Sequence, residues 1–301
     1  MKHNDAWSLY WQGGHQESCI ANNSTEDQFI LSDIWQEFAV SLAHNSAVLD
    51  LATGNGSVPH NLLSFNELLQ ITAVDRADIN PQKHIEKNSL LQKVMFMPNI
   101  DITHLPFNEN TFDAITSQFG LEYSALNLST SELIRVLKPQ GHFLFIMHHK
   151  DSEVVVPARA KVQEFELLFD SGILEGFEAF LNGGINLQQL NTLGEKVLAE
   201  HTMSKSEAIT GQIFAAIDKL IQMKEQGKDI AELIKIYTTM KSRIIAEMSR
   251  LKQLISASLS KVDVTALCSS LESMGVNVVF STIGLPQERG VLGWKIRGTK
   301  L

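Results

Sequence analysis

The chain reads as an α/β fold: a doubly wound, mostly parallel seven-stranded sheet with a C-terminal antiparallel hairpin and a large helical insertion. Three observations predict it. Between Ala47 and Met147, five short apolar runs alternate with helix-compatible stretches at spacings of ~15–25 residues, the pattern of βα units. From Pro157 to about Ser260, strand-like runs vanish and helical periodicity takes over. Two more strand-like runs then close the chain around the turn-rich loop GLPQERG. With 301 residues, 44% hydrophobic and 20% charged, the chain can bury a core, which excludes a disordered or low-complexity protein.

Taken in order, Thr25 to Ala43 is the first long helix. It places Phe29, Ile30, Ile34, Trp35, Phe38 and Leu42 on one stripe, and Thr25 with Gln28 resembles a capping box. The five core runs follow as AVLDLA (47–52), LQITAVD (69–75), KVMFM (93–97), FDAITSQ (112–118) and HFLFIMH (142–148). They are continuous rather than alternating because a parallel strand is covered on both faces. In the helical stretch, Ser204 and Glu207 form an S-x-x-E box ahead of Ile209, Ile213, Ile217 and Leu220. Gly227 is a stop, and a second stripe runs from Ile230 to Ile255 with spacings of three and four. That spacing suits a helical hairpin packed on the main domain, a substrate-covering lid or a dimer face. A short helix (Val264 to Met274) precedes the closing strands VNVVFSTI (276–283) and VLGWKIRG (291–298).

The balance of 25 Lys plus Arg against 34 Asp plus Glu gives a net charge of −9, which disfavours a nucleic-acid partner. Cys19 and Cys268 fit neither a disulfide framework nor a metal site, so free thiols in a reducing compartment are expected. The opening MKHNDAWSLYWQ has no apolar core of signal-peptide length, and no apolar run approaches the ~20 residues of a membrane span. The expectation is a soluble, cytoplasmic protein.

The chemistry concentrates at strand ends. Asp50-Leu51-Ala52-Thr53-Gly54-Asn55-Gly56 closes the first strand, where glycines let the backbone turn tightly and approach a ligand beside the next helix N-terminus. A dinucleotide fingerprint would need a third glycine where Pro59 stands, which argues against a nicotinamide oxidoreductase, and no P-loop lysine is present. Asp75 ends the second run, placed to accept from both hydroxyls of a ribose. Asp101 could accept from an adenine amino group while Ile102 packs on the ring. SQFGLEY (117–123) follows the fourth run, where the chain should pass the reactive end of a bound nucleotide. Singly, each has a bland reading: a turn cap, a solvated strand end, a loop residue. Their common order argues for one site.

DLATGNG, AVD, DITHLPFNENTFDAITSQFGLEYS and ELIRVLKPQGHFLF resemble the class I S-adenosylmethionine-dependent methyltransferases, nearest to the branch with the ubiquinone and menaquinone biosynthesis C-methyltransferases. The resemblance covers roughly residues 25–150 and the 276–298 hairpin. It implies S-adenosylmethionine as cofactor and S-adenosylhomocysteine as product. It assigns Asp50, Gly54 and Gly56 to the methionine end, Asp75 to the ribose, and Arg76, Asp101 and Ile102 to the adenine, with Ala52 and Asn55 also cofactor-binding. Gln118 and Phe119 would flank the sulfonium. Ser57 departs from the pattern, since many members carry a third glycine there.

The implied segments are an aromatic N-terminal stretch over the site (1–24), a cofactor-binding core (25–150), a helical insertion serving as lid or dimer face (151–260) and the rest of the sheet (261–301). A methyl on a sulfonium is already activated, so positioning matters most, and a base only if the acceptor must lose a proton. His148 is the candidate base. Tyr10, Trp11, Glu122, Tyr123 and His149 are candidate acceptor contacts, with Trp7 in the same aromatic cluster and Gly13 and Gly14 as its hinge. No metal site is expected, because adjacent strand residues such as His148 and His149 face opposite ways. The leading reading is O- or C-methylation of a small molecule by in-line displacement, with a homodimer through the helical insertion. The alternative is a catalytically silent S-adenosylmethionine-binding regulatory protein.

Overall fold

A computed structural model describes residues 3–14, 25–83, 86, 89–201 and 208–301. Cys19 and the Ser204–Glu207 box lie outside the described residues, as does the Thr25 side chain. The chain divides into two compact units, Met1–Val156 with Gln253–Leu301, and Pro157–Lys252.

The first unit opens with α1 (His3–Gln12) and α2 (Thr25–Ser41). Then come β1 (Ala47–Leu51), α3 (Ser57–Phe65), β2 (Gln70–Val74), β3 (Met95–Met97), β4 (Phe112–Gln118), α4 (Leu126–Val136) and β5 (Leu137–His148). The unit closes with α10 (Lys261–Ser273), β6 (Val276–Gly284) and β7 (Val291–Lys300). The seven strands form one sheet in the order β3-β2-β1-β4-β5-β7-β6. β1 to β5 run parallel, and β7 lies antiparallel between β5 and β6.

Strand alternation sends side chains to two layers. Leu49, Ile115 and Phe143 join Leu133 of α4 and Leu271 of α10 on one face. Val48, Ala114 and Leu144 join Trp35 of α2 and Leu62 of α3 on the other. Helices thus cover both faces, and β1 and β4 are adjacent at the sheet's centre, where the strand order reverses and α/β sheets carry ligands.

Two strands, β3 and β5, start more than one residue away from the expected runs. Ser89 Oγ accepts from Leu91 N at the start of a 3-10 turn (Leu90–Lys93), which takes Lys93 out of β3. β5 begins five residues earlier than HFLFIMH because Phe112 pairs with Leu137 before a register shift restores Ala114 to His142. The closing helix starts at Lys261, fixed by a Ser260–Asp263 capping box.

The second unit is helical among its described residues. It holds α6 (Ile173–Leu181), α7 (Leu187–His201), α8 (Ala208–Glu225) and most of α5 (Val155–Asp170) and α9 (Ile230–Ala257). Gly227, at φ 81, ends the first long stripe, and the Asp229 carboxylate accepts from Glu232 N where the second begins. Glu164, almost fully buried, accepts from the backbone N–H groups of Ile209 and Thr210 at 3.2 Å each. A carboxylate there satisfies donors that an α-helix leaves open in its first turn. The Tyr237 hydroxyl donates to Leu174 O within the same apolar interior.

Candidate functional site

A cavity of about 290 Å³ opens in the first unit at the carboxyl ends of the strands. The three acidic side chains read from the sequence line it together: Asp50 from β1, Asp75 after β2, and Asp101 in the loop after β3. Ala52, Arg76, Ile102, Gln118, Phe119, Trp11 and Tyr123 line it as well.

Asp50 is 1% exposed. Its Oδ1 accepts from Thr116 Oγ1 at 2.7 Å across the β1–β4 pair, and Oδ2 has no hydrogen-bond partner among the described residues. Burial pushes the carboxyl up to about 7, with the Thr53 and Thr116 hydroxyls working against the rise and the nearby Asp75 adding to it. Asp75 accepts from Gly54 N and from Ala77 N, each at 2.8 Å, so it ties the glycine turn to the loop after β2. Burial raises it to about 6, opposed by those N–H donors. Asp101 is half exposed, and Thr103 holds it by its backbone N–H (3.0 Å) and hydroxyl (2.7 Å), which lowers its pKa. Arg76 Nε stands 3.9 Å from its other oxygen.

Local backbone geometry aims these groups. Ala52 and Phe119 take left-handed φ values of 52 and 54 directly after β1 and β4. Each costs about 1–2 kcal/mol in an L-residue, strain of the kind that collects at ligand sites. The two turns interlock, since a Cβ on Gly120 would lie 2.3 Å from Ala52 Cβ. The loop carrying Asp101 is anchored by the ELIRV segment: Arg135 donates to Phe107 O (2.7 Å) and Leu105 O (3.0 Å), while Glu132 accepts from Leu105 N (2.8 Å).

α1 forms a wall of the cavity. Trp7 and Trp11, one helical turn apart, both line it, whereas Tyr10 sits off that face and packs against both indoles. Hydrogen bonds among the described residues hold the helix: Asn55 Nδ2 donates to Trp11 O (3.0 Å), Asp78 N to Ser8 Oγ (3.0 Å), and Trp7 Nε1 to Gln253 Oε1 (2.9 Å). The Trp11 ring lies directly on Gly54. That contact, and the φ of +54 at Gly54, require a residue without a Cβ.

Several expected residues do not line the cavity. Gly54, Asn55 and Gly56 shape the turn beneath Trp11 and supply backbone and side-chain bonds rather than lining surface. His148, fully buried, stacks on Phe119 at 4.5 Å between ring centroids, one ring behind the wall. His149 faces the other way, packs on Trp294 at 4.6 Å and accepts from Asp151 N. Glu122 turns inward in the short turn Leu121–Tyr123 and accepts from His148 N at 2.7 Å, with burial raising its carboxyl to about 7. Leu128 and Gln253 are lining residues that no sequence motif singles out, and Trp7 surfaced only as part of an aromatic cluster.

Residues 49–145 match the family model described as a methyltransferase domain. Over those residues the chain is similar to the methyltransferase domain family. The chain is 30% identical over 145 residues to the ubiquinone/menaquinone biosynthesis C-methyltransferase UbiE of Saccharophagus degradans, covering 45% of this chain and 57% of that protein. It is 28% identical over 165 residues to the demethylmenaquinone methyltransferase of Bacteroides fragilis, covering 49% and 66%. The chain thus spans less than two thirds of either relative. Among solved structures, a SAM dependent methyltransferase from Aquifex aeolicus aligns at 20% identity with TM-score 0.39, over 48% of this chain and 74% of that one.

The residues lining the cavity fit an adenosyl sulfonium. A buried carboxylate oxygen of Asp50 without a partner suits a cationic group, and a carboxylate on either side of the glycine turn keeps lone pairs for hydroxyl donors. No described helix is long and apolar enough to cross a membrane.

Proposed function

We propose that the chain transfers a methyl group to oxygen or carbon of a small organic acceptor. The convergence of Asp50, Asp75 and Asp101 on one cavity carries this reading. S-adenosylmethionine, when bound, supplies the activated methyl group. Asp50 would neutralise the positive methionine end, and Asp75 would accept from the ribose through lone pairs its backbone bonds leave open. Asp101 and Ile102 would hold the adenine, with Arg76 beside them. Gln118 cannot turn freely, because its Oε1 accepts from Trp35 Nε1 at 2.7 Å, so it and Phe119 offer a fixed surface at the reacting end. The α1 wall excludes water and restricts the acceptor's approach, and such orientation can supply up to roughly 7–11 kcal/mol. Where the acceptor must lose a proton, His148 is the residue assigned to take it, the Tyr123 hydroxyl on the wall passing its own proton on as it receives the acceptor's, with 6.0 Å between the two ring centroids.

The net charge of −9 supports a non-nucleic-acid acceptor, and cysteines too sparse for a disulfide framework support a cytoplasmic setting. The test is calorimetry with S-adenosylmethionine and S-adenosylhomocysteine, followed by a transfer screen with methyl-labelled cofactor. Binding of both with label in a neutral small molecule is the expected result. Binding without transfer to any acceptor favours a regulatory protein, and absence of binding rejects the site.

The raised carboxyls make binding pH-dependent. In the ligand-free fold, Asp50 near 7 and Asp75 near 6 hold protons that the unfolded chain has already lost. Stability of that form therefore falls as pH rises from about 4 to about 7. A cationic ligand favours the ionised carboxylates, so affinity for S-adenosylmethionine should rise with pH over about 5.5–7.5 and then level off. Calorimetry at pH 6.5 in two buffers of different ionisation enthalpy should show proton release, which disappears near pH 8.5. Buffer-independent heats at pH 6.5 would contradict the assignment.

Self-association through residues 157–252 belongs to the same proposal, supported by the exposed Leu187, Leu198 and Ile236. Sedimentation velocity should give a species near twice 33.5 kDa that Leu198→Glu dissociates. A 33.5 kDa species at every concentration would remove this part.

A further inference from the structure

The lining of the cavity is divided by charge. Its ionisable acids and its arginine, namely Asp50, Asp75, Arg76 and Asp101, all lie in β1 or after β2 and β3. The side chains contributed by α1, the turn after β4, the start of α4 and the end of α9 include Trp7, Tyr123, Ser124, Leu128 and Gln253, none of them charged. Trp7 meets Tyr123 ring to ring at 5.4 Å and 88°, forming an aromatic corner, while Trp11 stacks on its other side at 6.2 Å and 25°. An indole has a single hydrogen-bond donor, and here it goes to Gln253 Oε1. The ring plane is thereby set from outside its own helix, and what Trp7 offers the cavity is π surface rather than a polar handle.

We propose that Trp7 is the specificity-determining residue of the acceptor end, with Gln253 as the residue that positions it, and that this end takes an uncharged planar group. The proposal rests on the functional reading above, in which the acidic end holds the cofactor. An anionic acceptor would leave its charge in a part of the cavity where the described residues supply no cation, and a buried charge without a partner is strongly disfavoured. A flat neutral ring loses little hydration and gains the offset or edge contact that an aromatic corner provides.

The experiment uses the full chain and equilibrium dialysis with two matched probes, 1-naphthol and 1-naphthoate, each with and without S-adenosylhomocysteine. Wild type should bind the naphthol at least about tenfold more tightly than the naphthoate, a gap of about 1.4 kcal/mol. Trp7→Ala should lose that preference by about tenfold, and Trp7→Phe, which keeps a ring, should retain it within about threefold. Gln253→Leu should weaken naphthol binding in wild type and have no further effect in Trp7→Phe, which has no indole N–H to position, a non-additivity that a purely structural role of Gln253 does not produce. Affinity for S-adenosylhomocysteine should stay within about threefold throughout. Equal binding of the two probes, no naphthol binding, or unchanged naphthol binding in Trp7→Ala overturns the proposal. Failure of S-adenosylhomocysteine to bind overturns the functional reading instead, and the dialysis without it still decides the role of Trp7.

Discussion

Asp75→Ala should weaken S-adenosylhomocysteine binding by about 30- to 100-fold, equivalent to about 2–3 kcal/mol. Two losses combine. The proposed ribose acceptor disappears, and the Gly54 and Ala77 N–H groups, each held at 2.8 Å, lose their partner, so the glycine turn and the following loop come apart. Asp75→Asn is no gentle replacement. Its amide nitrogen must oppose one of those N–H donors, so it should fall closer to alanine than its shape suggests. Asp78→Ala, three residues on and exposed, serves as the control and should bind as wild type. Calorimetry reads both, with circular dichroism confirming the fold. Unchanged affinity in folded Asp75→Ala would remove the ribose assignment.

Gly54→Ala should have an effect of similar size by a steric route. The added Cβ would lie 2.4–2.7 Å from three atoms of the Trp11 ring, and the φ of +54 is itself unfavourable for alanine. An indole packed on backbone cannot yield by rotating a flexible tip, so Trp11, 8% exposed, must leave. Its departure costs about 3 kcal/mol of local stability and undocks α1. The expected signs are a red-shifted tryptophan emission, loss of amide protection across residues 3–12 and weaker cofactor binding with the sheet intact. Emission and protection identical to wild type would show that Trp11 does not rest on this turn in solution.

Much of this arrangement was legible beforehand, and the reasons differ by residue. FDAITSQ predicts β4 to the residue because a parallel central strand must be apolar along its length and ends where it meets the ligand loop. β5 was read short because Lys138, Pro139 and Gln140 carry no apolar pattern, and the early Phe112–Leu137 pairing depends on a register shift that only the neighbouring strand imposes. Asp50, Asp75 and Asp101 could be read because each follows a strand whose end is visible in the chain. Tyr10 and Trp11 were paired as neighbours in sequence, but a helix presents Trp7 with Trp11, and its phase is set by packing on Gly54. For His148 and His149, alternation predicts opposite directions without saying which one approaches the cavity. Gln253 lies near the end of a 28-residue helix, far along the chain from every motif, and only tertiary structure brings it to Trp7.

The position of β7 bears on how the protein is made. β5 is complete at His148, yet the strand that must cover its flank begins only at Val291, after the whole helical unit. Until then the emerging polypeptide carries Phe143–Met147 with bare amides along one side, a template for sticking to other nascent chains. The β6–β7 hairpin must then dock with β7 against β5, so sheet completion depends on contacts of very high sequence separation and is correspondingly slow. Yield in a heterologous host is therefore governed by chaperone supply and growth temperature during that interval, more than by the stability of the finished sheet.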